Sequence, residues 1–354
     1  ARPAVVFDLL FRFLRHIYGA ENITYVRNFT DIDDKINQKA KDTGRDIRII
    51  TDETINWYLD DMTYLNVLNP TCSPRATDYV DAMIQYIQGL IDKGNAYSDK
   101  TGHVFFSVDT YPHYGHLSKR KLDEMELGNR IKINKSKNNP MDFVLWKPSD
   151  LDTPGWNSPW GRGRPGWHIE CSVMSYELLG PSFDIHGGGI DLLFPHHENE
   201  VAQSCCAYPN EQFSNFWMHN GFVQIKGEKM SKSLNNFLTV QDLIRQGISG
   251  DTIRLVLLSA HYRQPLDWTI ERVNQMSGIL RKWRKLCDGI SPSGEPSKVV
   301  LDALSDDLNT PMIIAELHRL ASMGEFSTLL ASAQLLGLLS SKYIQESKKI
   351  DTKV

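Results

Sequence analysis

Two lysines and two serines stand close together in the segment 229–233, which reads Lys229-Met230-Ser231-Lys232-Ser233. Lysine ammonium groups place point charges against phosphates, and serine hydroxyls and backbone N–H groups can supply further hydrogen bonds. The segment follows a predicted strand and a polar turn at 226–228, so it should form a loop. These residues predict a clamp for pyrophosphate, whereas two neighbouring lysines alone would more often be a solvated basic loop.

A second group of residues has the chemistry of a metal site: Cys171, His196 and Glu200. The histidine and glutamate are four residues apart, and a proline before them suits a first helical turn, so both should lie on one helical face. Thiolate, imidazole and carboxylate are ordinary zinc ligands. The alternative is a buried thiol and an unrelated polar pair. The spacing also leaves open an exchange of roles with the neighbouring His197 and Glu198.

A glycine run lies between the cysteine and the histidine of this predicted metal site. It begins after His186, includes Gly188, and is followed by Asp191. Glycines let a nucleotide approach the backbone closely, and an aspartate just beyond can bind ribose hydroxyls. The run therefore predicts a nucleotide site beside the metal.

The acidic segment 30–35 (Thr-Asp-Ile-Asp-Asp-Lys) is expected to begin a helix. Its aspartates suit an N-cap and the positive end of a helix. A role in ligand binding would be additional to this structural one.

The elements that must position these groups alternate between helix and strand over the first 225 residues. We expect helices at 3–18, near 52–65 and 77–93, strands at 23–29, 182–186 and 216–225, and a β-hairpin at 96–98 and 103–108. Beyond 226 the pattern is mainly helical, with strong helices at 251–260 and 268–287. The fold prediction is an α/β class: a doubly wound Rossmann-like parallel sheet with a small inserted domain, followed by a mainly α-helical C-terminal domain.

Composition limits the classes of function. The chain has 354 residues and a formal net charge of -4, a balance that neither supports nor excludes nucleic acid. Its five cysteines are irregularly spaced, which favours a reducing compartment over a disulfide framework. No apolar run approaches the ~20 residues that span a bilayer. We therefore predict a cytoplasmic protein without membrane contact.

Taken together, the segments resemble the cysteinyl-tRNA synthetases, a family of class I aminoacyl-tRNA synthetases. The lysine–serine segment matches the KMSKS signature of that class. The other matching segments are 25–36, 139–147, 164–172, 186–191, 195–200 and 306–311.

The resemblance implies an activity. It implies activation of L-cysteine with ATP and Mg²⁺, and transfer of the product to the 3′ end of tRNA(Cys). It also implies one zinc ion held by Cys171, His196, Glu200 and a further cysteine expected upstream of Ala1, where the HIGH motif is also expected. Zinc prefers a thiolate strongly over a hydroxyl, so a direct metal–sulfur bond would reject serine, which an apolar pocket separates poorly.

The resemblance assigns the remaining site residues as well. Substrate cysteine would contact Thr30, Trp167 and His168. ATP would be bound by His186, Gly188, Asp191, Lys229, Met230, Ser231, Lys232 and Ser233. Among these, Lys229 and Lys232 would act in catalysis.

The resemblance also names the expected segments of the chain. These are the first half of the Rossmann-like catalytic domain at 1–95, an inserted connective domain at 96–160, the second half at 161–225, the KMSKS loop with a stem-contact region at 226–262, and a helical tRNA-binding domain at 263–354. A monomer is expected.

Two alternatives remain open from the sequence. The cysteine ligase of mycothiol biosynthesis activates cysteine in the same way and joins it to an amino-sugar. A non-catalytic paralogue could use the fold only to bind tRNA. The intact KMSKS segment and metal trio weigh against the second alternative.

Overall fold

The computed structural model describes residues 1–120, 136–230 and 236–340. Ser231, Lys232 and Ser233 of the predicted phosphate loop lie outside these ranges. The helices are α1 (Arg2–Tyr18), α2 (Asp34–Thr43), α3 (Ile47–Tyr64), α4 (Val80–Asp92), α5 (Trp167–Leu179), α6 (Glu198–Ala207), α7 (Val240–Arg245), α8 (Gly250–Leu258), α9 (Ile270–Leu286), α10 (Lys298–Ser305), α11 (Thr310–Met323) and α12 (Phe326–Leu335). The strands are β1 (Ala96–Ser98), β2 (Val104–Phe106), β3 (Phe143–Pro148), β4 (Gly163–Pro165), β5 (Phe183–Gly189), β6 (Ser214–Asn220), β7 (Val223–Ile225), β8 (Glu228–Lys229) and β9 (Leu266–Trp268).

The chain forms two compact units. One contains Val26–Ile55 and Pro70–Met218, and we call it the cysteine unit because Cys171 lies in it. The other contains Ala1–Tyr25, Asn56–Asn69 and His219–Val354, and we call it the lysine unit because it includes Lys229.

The core of the cysteine unit forms where α4 and α5 pack beside an antiparallel sheet with strand order β1-β2-β3-β4. In α4 the apolar residues Met83, Ile87 and Leu90 recur at helical spacing and are fully buried. Phe106 of β2 and Trp146 of β3 belong to the same core cluster. The predicted hairpin at 96–98 and 103–108 is confirmed as β1 and β2, which pair antiparallel.

The predicted strand at 23–29 is wrong in its extent. In its place are two isolated parallel bridges, from Val26 to Cys72 and from Phe29 to Arg75. The partner segment contains Pro74, which has no N–H to donate and therefore interrupts a continuous ladder. Its carbonyl still accepts a hydrogen bond of 2.8 Å from the backbone N–H of Phe29. The parallel direction nevertheless agrees with the predicted fold class.

The lysine unit is mainly helical, as expected for the chain beyond residue 226. Its α8 is buried on every face, while α9 buries Val273, Met276, Leu280 and Trp283 along one side. Strand β7 pairs parallel with β9 and antiparallel with β8. In the described residues, no helix is both long and apolar enough to cross a membrane.

A buried charge pair at Asp8 and Arg254 holds the lysine unit together. The guanidinium of Arg254 contacts the Asp8 carboxylate and donates hydrogen bonds to the carbonyl oxygens of Leu336 (2.6 Å) and Leu65 (3.2 Å). Both charged side chains are almost inaccessible to solvent. Buried charges of this kind are tolerated when they are paired and fully hydrogen-bonded.

We therefore expect Arg254→Lys to destabilise the protein although it keeps the charge. An ammonium cannot reach all three partners, so buried acceptors lose their donors, at a cost of about 1–3 kcal/mol in the free energy of unfolding. Urea unfolding measures this loss, with Arg245→Lys as the control because the Arg245 side chain is 76% exposed. Equal stability of the two variants would contradict the structural role of the pair.

Candidate active site

Helix α5 presents the predicted cysteine on its first turns. Trp167 and Cys171 are four residues apart on this helix, so they lie on one face. Trp167 is half exposed, whereas Cys171 is partly buried. The side-chain amide of Asn28 donates to the sulfur of Cys171 at 3.9 Å. Asn28 lies in a segment that matches the family, but no role had been predicted for it.

His196 and Glu200 come together with this cysteine. The three candidate ligand atoms all lie within 4.8 Å of one another. Glu200 belongs to α6, and His196 lies in the preceding turn, Leu193–His197, which runs directly into α6 after a kink at Phe194. The two residues therefore lie one helical turn apart, as predicted, with Nε2 of His196 3.0 Å from Oε1 of Glu200.

The neighbouring Glu198 has a different environment, which decides between the two glutamates. Its carboxylate accepts hydrogen bonds of 2.8 Å from the backbone N–H groups of Gly115 and Ser118. Both oxygens are therefore committed to the backbone. Glu200 is the glutamate available to the cluster.

His197 also faces Glu200, but as part of a second group. His186 of β5 places its Nε2 3.3 Å from Oε2 of Glu200, and the His186 and His197 rings have centroids 4.7 Å apart. Trp217 packs against both imidazoles. The sequence suggested His197 only as an exchange partner for His196. The spacing of residues in the sequence did not predict the long-range contact of His186 with Glu200.

The structure also places His168 against the candidate metal ligands. Its Nδ1 is 2.9 Å from Nδ1 of His196, so one of these nitrogens donates to the other. Burial, reinforced by the neighbouring His196, lowers the pKa of His168 to about 3, which leaves the ring neutral at ordinary pH. Gln203 donates to the backbone carbonyl of His168 at 3.1 Å. This arrangement orients the His196 ring with its Nε2 toward Glu200.

The charge state of the cluster follows from its burial. Burial alone would raise the pKa of the Glu200 carboxyl, but the imidazoles of His186 and His196 hold this pKa well below its ordinary range. Burial raises the pKa of the Cys171 thiol, and the carboxyls of Glu200 and Glu170 raise it further. Without a cation, the cluster therefore contains an ionised carboxylate beside a protonated thiol.

These residues fit a zinc ion. Neither buried oxygen of Glu200 receives a well-aligned hydrogen bond within the described ranges, although two imidazoles are close. An imidazole held at its second nitrogen is typical of metal-ligating histidines. Sulfur, nitrogen and oxygen donors together are the set that zinc prefers. The second trio of His186, His197 and Glu200 lacks a sulfur donor.

Thr30 connects to the cluster through Glu170. Its side chain hydrogen-bonds the carboxyl of Glu170, the residue immediately before Cys171. Burial raises the pKa of Glu170 well above its ordinary value. Thus the structure places Trp167 and His168 against the candidate ligand His196, and it joins Thr30 to the residue that precedes Cys171. The acidic segment also starts a helix as expected, since Asp33 caps α2 by accepting from the N–H of Ile36 at 2.6 Å.

The glycine run places backbone against a histidine of the second trio. Gly188 is buried, and a β-carbon there would lie 2.9 Å from Leu192 Cδ1 and 3.2 Å from His197 Nε2. Asp191 is exposed on the turn that follows β5. The requirement for glycine at 188 is therefore a close approach of the backbone to the imidazole.

We expect Gly188→Ala to destabilise the protein by about 1–3 kcal/mol, because the added methyl group overpacks a filled site. Thermal unfolding should show a lower Tm for this variant. Gly278→Ala is the control, because its new methyl group meets nothing within 4 Å and replaces a glycine within α9. A lower Tm for the control alone would refute this explanation.

The lysine unit carries the start of the predicted phosphate loop. Lys229 ends the β7–β8 hairpin, where it pairs with Gln224. Its Nζ lies 3.6 Å from the centroid of the Phe222 ring, and the N–H of Met230 donates to the carbonyl of Val223 at 3.1 Å. The backbone of both residues is thus held by the hairpin, while the Lys229 side chain is exposed.

The fold and the site define a class I tRNA synthetase. The family described as "tRNA synthetases class I (C) catalytic domain" matches residues 1–278. A solved structure of methionyl-tRNA synthetase from Mycobacterium tuberculosis, in complex with methionyl-adenylate, has a TM-score of 0.64 at 14% identity, covering 95% of this chain and 86% of that one. This similarity confirms the predicted fold class.

Two curated relatives narrow the class. Cysteine–tRNA ligase from Ruegeria sp. (strain TM1040) is 58% identical over 340 residues, which cover 96% of this chain and 74% of the relative. The enzyme of the same name from Ruegeria pomeroyi is 58% identical over 339 residues, covering 95% of this chain and 73% of the relative. The chain belongs to the cysteine–tRNA ligase family.

Proposed function

We propose that the chain activates L-cysteine with ATP to cysteinyl-adenylate and transfers the cysteinyl group to the 3′ end of tRNA(Cys). The observation that carries this proposal is the trio of Cys171, His196 and Glu200, in which the histidine and the glutamate are buried and the candidate ligand atoms lie within 4.8 Å of one another, in a chain of this family. We further propose that the protein acts as a monomer in the cytoplasm, with the five segments expected from the sequence.

Selection of cysteine would depend on zinc held by these three side chains and by a fourth ligand, the cysteine expected upstream of Ala1. Zinc bound there would act as a Lewis acid that prefers the thiolate of cysteine to the hydroxyl of serine. The chain's own contribution is orientation and charge: His168 would orient the His196 ring, and His186 lies with its Nε2 3.3 Å from the carboxylate of Glu200. Such supporting contacts typically change metal affinity or activity by about 10–100-fold.

Trp167 and Thr30 would position the substrate amino acid. The half-exposed indole of Trp167 lies with its ring centroid 4.2 Å from that of His196, so it forms an apolar wall beside the candidate ligands. Thr30 is fixed by its hydrogen bond to Glu170. Side chains held by their neighbours keep a substrate in a reactive geometry at little entropic cost.

Activation would proceed by in-line attack of the substrate carboxylate on the α-phosphate of ATP, with pyrophosphate as the leaving group. Lys229 and Lys232 would stabilise the negative charge on the phosphates, helped by Met230, Ser231 and Ser233, with Mg²⁺ bound to the nucleotide. His186, Gly188 and Asp191 would bind the remainder of ATP. Most of the rate enhancement would then come from positioning and electrostatic stabilisation.

Acceptor dependence tests this function. The full-length protein, purified with zinc, is given ATP, cysteine and either tRNA(Cys) or an amino-sugar acceptor, and both cysteinyl-tRNA and AMP are measured. We expect tRNA to stimulate AMP release and to become charged with cysteine. Charging of the amino-sugar alone would assign the chain to the cysteine ligase of mycothiol biosynthesis. Binding of tRNA without AMP release would support a non-catalytic paralogue.

A further inference from the structure

The cysteine unit contains a cavity whose lining residues differ from those of the candidate metal site. Its volume is about 380 Å³, within the range of roughly 300–1,000 Å³ that is usual for small-ligand pockets. None of its lining residues is a candidate metal ligand. The lining includes Asp31, Ile32, Arg48, Thr51, Trp156 and Arg162. It begins one residue after Thr30, which is proposed to contact the substrate amino acid.

Hydrogen bonds hold the backbone of the loop that carries Trp156. The N–H of Trp156 donates to the carbonyl of Gly163 at 2.7 Å, and the N–H of Gly163 donates back at 3.0 Å. Arg162 donates to the carbonyls of Ser149 (3.1 Å) and Thr153 (2.9 Å). The indole of Trp156 is therefore attached to a fixed backbone.

Close packing of the backbone at Gly155 reinforces the same loop. A β-carbon at Gly155 would come within 2.9 Å of Nη1 of Arg162 and 2.8 Å of Cβ of Ser149. Only glycine allows this approach. The loop before the tryptophan is thus packed onto the guanidinium that holds it, and the cavity wall is formed before any ligand arrives.

The cavity lining also includes a cation, Arg48, whose ion pairs are long. The guanidinium of Arg48 lies 3.4 Å from Asp52, 3.7 Å from Asp31 and 4.0 Å from Asp78, and its side chain is half exposed. Two of these aspartates, Asp31 and Asp52, have shorter contacts with other residues than with Arg48. Asp31 accepts from the Thr77 hydroxyl at 2.6 Å, and Asp52 pairs with Arg75 at 2.5 Å. Three carboxylates thus surround Arg48 without a short hydrogen bond to it within the described residues, so its N–H groups can still donate to a further acceptor at the cavity.

We propose that this cavity receives an unpaired base of the single-stranded 3′ end of tRNA, stacked on Trp156, with Arg48 contacting the adjoining phosphate. An aromatic side chain and guanidinium groups around one cavity are the combination by which proteins bind single-stranded nucleic acid. The 3′ end must also reach the substrate amino acid, and the cavity adjoins Thr30 in the chain. This inference rests on the proposed function, because it requires tRNA as the partner.

A thermodynamic cycle tests the contact directly. Binding of intact tRNA(Cys) and of tRNA(Cys) lacking its three 3′-terminal nucleotides is measured for the wild type and for Trp156→Ala. Loss of base stacking by alanine substitution corresponds to roughly tenfold weaker binding. We expect truncation of the RNA to weaken wild-type binding about tenfold, and to weaken binding by Trp156→Ala less than threefold.

Additional variants separate contact from folding. Trp156→Phe keeps an aromatic face and should restore most of the affinity for intact tRNA, while Arg48→Gln should weaken its binding several-fold and lower the salt dependence. Leu151→Ala is the matched control, since Leu151 lies in the same loop, is 91% exposed and does not line the cavity. Cysteine-dependent ATP–pyrophosphate exchange should be unchanged in Trp156→Ala, because that reaction needs no tRNA.

The outcomes distinguish this inference from the proposed function. If truncation of the tRNA weakens binding equally in the wild type and in Trp156→Ala, the inference is overturned. Cysteine-dependent ATP–pyrophosphate exchange by the wild-type protein would then still support the proposed function. Equal weakening by the phenylalanine and alanine variants would also overturn it. A wild type without cysteine-dependent exchange would overturn the proposed function and this inference with it.

Discussion

Cys171→Ser is expected to abolish zinc binding and to lower cysteine-dependent ATP–pyrophosphate exchange more than about 100-fold. Partners that only support a metal ligand already contribute about 10–100-fold, so loss of a ligand itself should exceed that range. Serine is nearly isosteric, but its hydroxyl does not offer the soft thiolate that zinc prefers. Of the trio only His196 and Glu200 would remain, with Nε2 and Oε1 3.0 Å apart, and together with the cysteine expected upstream they would hold the metal far less tightly.

Two measurements on the same preparation check this expectation: zinc content by elemental analysis, and the initial rate of exchange. Cys72→Ser is the matched control, because Cys72 is another partly buried thiol of the cysteine unit and belongs to no candidate metal cluster in the described residues. Full zinc content in Cys171→Ser, with exchange near the wild-type rate, would remove Cys171 from the site.

Lys229→Ala should lower the turnover number of activation about 100-fold while changing the KM for cysteine little. A charged donor aimed at negative charge that develops in the transition state typically contributes about 100–1,000-fold to the turnover number. The Lys229 side chain is exposed at the end of the β7–β8 hairpin, and its Nζ rests on the Phe222 ring, where an incoming phosphate could attract it. The same substitution leaves the backbone pairing with Gln224 possible.

Steady-state exchange kinetics over a range of ATP and cysteine concentrations measure this effect. Lys226→Ala is the control, because Lys226 is an exposed lysine in the turn of the same hairpin. A loss that is equal in both variants would point to a general effect of surface charge. A change confined to the KM for cysteine would contradict the phosphate role of Lys229.

Much of the fold and the composition of the site could be predicted from the sequence. The helical spacing in α4 and the short β1–β2 hairpin are encoded locally, so periodicity and turn residues were sufficient. The trio of Cys171, His196 and Glu200 was predicted from residue types and one spacing of four, and the structure brings these residues together. Its metal, however, remains a proposal.

The errors and omissions concern long-range contacts. The irregular segment around Val26 and Phe29 was expected to be a strand, because its β-rich composition does not reveal that its partner contains Pro74. The contact of His186 with Glu200 joins strand β5 to helix α6, and the spacing of these residues in the sequence does not indicate it. The choice between Glu198 and Glu200 likewise depended on the backbone N–H groups of Gly115 and Ser118, which are about 80 residues away in the chain.

The central claim is that a zinc-dependent site selects cysteine for activation, and ATP–pyrophosphate exchange on the full-length protein tests it most directly. The rate is measured with cysteine and with serine, before and after removal of zinc by a chelator, and again after zinc is restored. The account predicts exchange with cysteine alone, lost on chelation and recovered with zinc. Exchange that persists without the metal, or that serine supports equally well, would contradict it.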